Sequence, residues 1–296
     1  MTAKAPKILS EFTLLPEGKK ALQNFFDANF QELCGIPNKQ AAEKAQKELQ
    51  ELLKKTLPKQ FLRNLSNLLS DKSEYAILIH GLPENNLEWA GLKGVNAEDT
   101  YSYHIGKALY AMKNVAHIDT EVLVRRAGNG RTPPGLLIHR DNYPDAHMKF
   151  RGEFVIFSSP YNAENAMTEI IPMQYLIENI PEDVRKKIEV AVTGNFAGTR
   201  NYYLDELLDR LNTSRYSEDH IRKIALISEP ESPEGKVFTE KREKIHIKKS
   251  IQPGDLLIIN ERNMFHHAYL GDSANALNPE DISRIFMHHA GARIER

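Results

Sequence analysis

Apolar positions along this chain repeat with two different periods, and the change falls near residue 70. Between Pro37 and Leu57, Ala42, Ala45, Leu49, Leu52 and Leu53 recur at helical spacing, with Glu43–Lys47 and Glu51–Lys55 at i,i+4. Pro58 would stop that helix, and Leu62, Leu65, Leu68 and Leu69 give a second amphipathic segment. Residues 1–70 therefore predict a helical N-terminal segment.

At Tyr75 the pattern shortens. YAILIHGLP is an apolar run closed by Gly81-Leu82-Pro83, a strand and a turn. Strand-like runs recur at Val122–Val124, Gly135–His139, Glu153–Ser158, Ile221–Leu226, Ile245–Ile247, Asp255–Ile259 and Arg284–His289. Helical stretches interrupt them: Met173–Ile177 begins one, Pro181–Val190 continues it with acidic residues at its start and Arg185, Lys186 and Lys187 later, as the helix dipole prefers, and Tyr203–Leu211 is another. Few strands are spaced as βαβ units. The expected class is mainly β with flanking helices (α+β): an antiparallel double-stranded β-helix, or jelly roll, over residues 71–296, with segment 1–70 packed on it as one domain. The polar, proline-containing stretch 229–244 reads as an exposed loop.

Composition narrows the chemistry. The 296 residues carry 39 Lys+Arg against 40 Asp+Glu, so no general attraction to nucleic acid follows. The single cysteine, Cys34, excludes an internal disulfide and any cysteine-built zinc or iron–sulfur site. No long apolar stretch marks a leader peptide or a membrane span, and a cytoplasmic protein is the expectation.

Within GLLIHRDNYPD, His139 and Asp141 stand two apart at the end of a predicted strand. Such residues share one face of a strand, and an imidazole with a carboxylate suits divalent iron, manganese or zinc. By itself the HxD pattern is common. Near the C-terminus, QPGDLLIINERNMFHHA gives a tight turn, a strand, and then His266 and His267. Either histidine would complete a two-histidine, one-carboxylate face, the arrangement that leaves coordination positions open in non-haem iron oxygenases. Arg284, on the strand after that, offers a guanidinium to a carboxylate.

Together these segments resemble the clavaminate synthase-like and taurine dioxygenase-like oxygenases, which use Fe(II) and 2-oxoglutarate. YAILIHGLP looks like the family's early strand and Gly-Leu-Pro turn, and HRD like its proximal HxD/E. NAENAMTEIIP is similar to its later turn, whose threonine contacts the 2-oxoglutarate carboxylate. MTEIIPMQYLIENIPEDVRKKI resembles its helix, and GDLLIINERNMFHHA its distal-histidine segment. The resemblance implies iron held by His139, Asp141 and His266, with Thr168 and Arg284 at the far carboxylate of 2-oxoglutarate. Aligned without gaps from Gly254, the distal histidine is His266 rather than His267. The chain departs from the pattern at Asn260-Glu261-Arg262, and at Asn165 and Ala166, where the family has glycines. Arg284 stands late in its segment, which makes Arg293 the fallback.

The activity implied is hydroxylation of an unactivated C–H bond with O2, releasing succinate and CO2. Because Asp141 is present, halogenation is disfavoured; desaturation remains an option. A free or modified amino acid is the expected substrate. Glu121 is a candidate for its ammonium, Arg125 or Arg126 for its carboxylate, and Asn142 and Tyr143 for the pocket mouth. Two other readings stand beside this one: an oxygenase acting on a protein or tRNA residue, and a jelly roll that binds metal or ligand without turnover. The remaining histidines (His80, His104, His117, His147, His220, His246, His288 and His289) show no partner pattern.

Overall fold

The computed structural model describes residues 8–36, 38–70, 76–84, 96–126, 154–172, 246–260, 264–268 and 282–293. The predicted strands Gly135–His139 and Ile221–Leu226, the helices predicted between 173 and 211, and loop 229–244 lie outside them.

The N-terminal segment contains three helices: α1 (Pro16–Leu33), α2 (Lys39–Thr56) and α3 (Lys59–Leu68). Pro16 opens α1, where a missing N–H costs nothing. Asn38 caps α2, its side chain accepting from the Ala41 amide at 3.0 Å. The segment is not wholly helical, however. Leu9–Thr13 forms strand β1, which runs parallel to β2 (Ala76–His80) at the edge of the main sheet. A fourth helix, α4 (Tyr101–Ala111), follows the Thr100 cap, which accepts from the Tyr103 amide.

The other strands are β3 (Val115–Arg126), β4 (Phe154–Asn162), β5 (Met167–Pro172), β6 (Ile247–Ser250), β7 (Leu256–Asn260), β8 (Met264–Ala268) and β9 (Ile282–Arg293). They form a large sheet in the order β1-β2-β7-β4-β9-β3 and a small one in the order β6-β5-β8. Apart from β1–β2, every pairing is antiparallel. Met167–Pro172, expected from the family likeness to open a helix, is instead the central strand of the small sheet. Both of its neighbours bond to it, so the tertiary pairing decides its conformation.

The large sheet is covered on both faces, and this explains its unbroken apolar strands. Ile77, Ile79, Phe154, Ile156, Leu256 and Ile258 face the helices and share a core with Leu22, Phe26, Leu49, Leu53 and Phe61. Their alternates (Leu78, Val155, Phe157, Leu257, Ile259 and Phe286) face the small sheet and pack on Ile170 and Met264. A salt bridge of 2.8 Å from Lys249 on β6 to Glu11 on β1 joins the two sheets at one edge and lowers the Glu11 carboxyl pKa.

The two turns noted in the sequence dock on each other. The Leu82 amide donates to the Gly254 carbonyl at 2.9 Å. Gly254 has φ +84°, and a Cβ there would sit 2.4 Å from the Leu82 oxygen. His80 bonds Asp255 across the same junction at 2.9 Å. Among the described residues, no helix is long and apolar enough to cross a membrane.

Candidate active site between the two sheets

Cross-strand partners share a face of a sheet, so the register fixes what enters the space between the two layers. On β9 the inward positions are Arg284, Phe286 and His288; Ile285, Met287 and His289 face the helices. Pairing places Glu121 of β3 and Phe157 of β4 on either side of His288. It places Arg125 and Asn162 on either side of Arg284. For Glu121 and Arg125 it is the backbone register that is described. On the small sheet, Thr168 pairs with Ala268 and Ile170 with His266, which puts Thr168, Ile170, Met264 and His266 on the inner face.

These residues meet. Arg284, 3% exposed, donates from Nη2 to the Thr168 hydroxyl at 3.3 Å, across the gap between the sheets. The guanidinium carbon lies 4.0 Å from the centre of the Phe286 ring. His266, also 3% exposed, packs edge-on to Phe157 at 4.8 Å between centroids, with His288 at 6.2 Å. His267 occupies the register position of Glu169, on the opposite face of the small sheet. There Glu169 is fully buried and bonds His246 at 2.6 Å, a pair invisible in the sequence because its members are 77 residues apart.

His139 and Asp141 lie outside the described residues, as do Asn142 and Tyr143. Among the described residues, no three His, Cys, Asp or Glu side chains converge as a metal site. The site contributes the His266 imidazole, of the type that divalent iron accepts, with His288 beside it. It also contributes a guanidinium that lies over the Phe286 ring, bonds Thr168 and suits a carboxylate. Both fit an iron centre with a dicarboxylate co-substrate.

Phe157 and Phe286 belong to no sequence motif, and His288 shows no partner pattern there. The period-two run from Arg284 was the available signal, since residues 284, 286 and 288 of a strand share a face.

On the helix face of the same strand, His289 is fully buried, and burial pushes its pKa down to about 3, with His117, His288 and His104 acting in the same direction. Its ring bonds the Ser158 hydroxyl at 3.0 Å and the Thr120 hydroxyl at 3.1 Å. A neutral imidazole, one nitrogen donating and one accepting, is satisfied by that pair.

No family model matches the chain, and no curated protein matches it. Solved structures do align with it. Asparagine oxygenase in complex with Fe(II), 2S,3S-3-hydroxyasparagine and succinate superposes with a TM-score of 0.56, covering 96% of this chain and 93% of that one at 12% identity. The non-haem iron oxygenase OrfP in complex with Fe gives 0.52 over 96% and 94% at 13% identity. The same oxygenase with Fe and L-Arg gives 0.51 over 97% and 94% at 14% identity. The chain therefore shares, over nearly its whole length, the jelly-roll fold of these non-haem iron oxygenases.

Proposed function

We propose that this protein is an Fe(II)- and 2-oxoglutarate-dependent dioxygenase that hydroxylates a free or modified amino acid. The observation that carries the reading is the bond from Arg284 to Thr168. The family resemblance implies both residues as anchors of one carboxylate, and they lie 116 positions apart. They bond to each other inside a fold shared with iron oxygenases, and Thr168 lies on the same inner face of the small sheet as His266.

In this reading His266 holds the iron together with His139 and Asp141. Iron and 2-oxoglutarate would supply the oxidant that inserts oxygen into a C–H bond, with succinate and CO2 released. Arg284 and Thr168 bind the far carboxylate of the co-substrate and fix its direction. Phe157 and Phe286 exclude water from the space between the sheets, which strengthens every polar contact made there.

An amino acid suits the neighbouring register positions. Glu121 is the register partner of His288 and would provide a carboxylate for an ammonium group; Arg125 is the register partner of Arg284 and would provide a cation for a carboxylate. Support also comes from the solved neighbours, which hold hydroxyasparagine with succinate in one case and L-Arg in another.

The test is to load the metal-free protein anaerobically with Fe(II) and 2-oxoglutarate, follow the visible charge-transfer band of the chelate, and then screen amino acids for stimulated succinate formation. A band that vanishes in His139→Ala, with one amino acid raising turnover, is the expected result. A band without stimulation moves the search to modified amino acids or macromolecules. No band at all rejects the oxygenase reading.

A further inference from the structure

Two phenylalanines join the proposed carboxylate anchor to the proposed metal ligand. The Arg284 guanidinium lies 4.0 Å from the centre of the Phe286 ring. Phe286 stacks on Phe157, with centroids 5.4 Å apart and planes 17° from parallel. Phe157 in turn meets the His266 ring at 4.8 Å and 63°. His288 closes the stack from the side, edge-on to Phe286 at 4.9 Å and to Phe157 at 5.0 Å. All five side chains are buried. They come from three strands in two sheets, and the register of β4 on β9 brings the two phenylalanines together.

We infer that Phe286, seated on Phe157, is a positioning residue: it orients the Arg284 guanidinium relative to His266 and so selects the chain length of the 2-oxo dicarboxylate that the site accepts. The inference rests on the functional reading above and goes beyond it by assigning co-substrate selectivity to two apolar residues. A guanidinium presents its N–H donors only in its own plane, and the Phe286 ring 4.0 Å from its central carbon limits how that plane can turn. The bond to Thr168 fixes the rotation within that plane. With both restraints in place, the carboxylate receptor stands at one distance from the metal ligand, because close-packed rings transmit position rather than yielding. Removing the ring face while keeping side-chain volume frees the guanidinium to follow a longer ligand.

The test measures binding by calorimetry of 2-oxoglutarate, and of 2-oxoadipate, which is one methylene longer, to the Mn(II)-substituted protein. Phe286→Met should weaken 2-oxoglutarate about tenfold and reduce its preference over 2-oxoadipate, while Mn(II) affinity stays within about twofold. Phe286→Tyr, which restores the ring face, should recover both values. In an Arg284→Lys background, Phe286→Met should add little, since its effect runs through the guanidinium. A fluorinated phenylalanine at position 286 keeps shape and fold but weakens the ring's attraction for a cation, and should raise the Kd in the same direction even if Phe286→Met fails to fold. Additive effects in the double variant overturn the inference. So does an equal loss of Mn(II) affinity, or unchanged binding in the fluorinated protein. Failure of the wild-type protein to bind 2-oxoglutarate is a separate result, one that removes the dioxygenase reading itself.

Discussion

The Arg284 guanidinium and the Thr168 hydroxyl belong to different sheets, and their 3.3 Å bond is the contact in which the two layers meet through polar groups at the candidate site. Thr168→Val takes away the acceptor and leaves a buried, charged N–H without it. That costs about 1–3 kcal/mol and leaves the guanidinium free to turn. The expected outcome is a lower melting temperature and a Kd for 2-oxoglutarate raised about tenfold, with Thr168→Ser close to wild type. Thermal denaturation and calorimetry check both, and a Val variant that binds like wild type would remove Thr168 from the assignment.

Consecutive positions of a strand belong to opposite faces of its sheet, so only one of positions 266 and 267 lies on the face toward the space between the sheets. His266 pairs with Ile170 on the inner face, and His267 with Glu169 on the outer. His266→Ala should therefore lose Fe(II) affinity and the chelate band, whereas His267→Ala should keep both. The reverse pattern would transfer the ligand role to His267. Asp141→Ala should abolish hydroxylation in the same assay series, and retained full activity would exclude Asp141 as a ligand.

What could be read from the sequence was local periodicity. The runs AILIH and LLII announce strands because they are buried on both faces; Arg284 stands out as a cation within an apolar run, whereas Thr168 enters only through the family resemblance. The α4 helix was not visible, because YSYHIGKALYA is buried almost all round and shows no polar stripe. Strand β1 was hidden because its stability comes from β2, far along the chain. Phe157, Phe286 and His288 acquire significance only through the register of β4 on β9, which no local pattern contains.

Acid should destabilise the fold through two histidines held neutral. Burial pushes His289 down to about 3, and pushes His104 down to about 4 despite the bond of His104 to the Glu98 carbonyl. Because both folded-state values lie below the unfolded value of about 6.5, the unfolded chain binds the protons first. Stability is therefore complete above about pH 6.5 and falls as pH drops below it, levelling only past the two folded values. Each histidine contributes a slope of about 1.4 kcal/mol per pH unit in that window. His289→Gln should remove its share of the slope between pH 6 and pH 4, measured by urea denaturation. An unchanged slope would show that His289 does not titrate between the folded and unfolded states.

The ring of Tyr110 occupies the space where residue 291 would carry a side chain. A Cβ on Gly291 would lie 2.7 to 3.0 Å from three atoms of that ring. The ring cannot retreat without loss: its hydroxyl donates toward the His289 carbonyl at 2.6 Å and the Phe154 carbonyl at 3.1 Å, bridging β9 and β4. Gly291→Ala must therefore shift a strand or break those bonds, at a cost of about 1–3 kcal/mol. The strand in question carries Arg284, so a strand shift would also weaken 2-oxoglutarate binding, whereas a tyrosine that moves alone would lower only the melting temperature. Tyr110→Leu opens the space, and in that background the alanine should cost much less than in the wild type. Equal costs in both backgrounds would mean that the glycine is required for its backbone and not for the room it leaves to Tyr110.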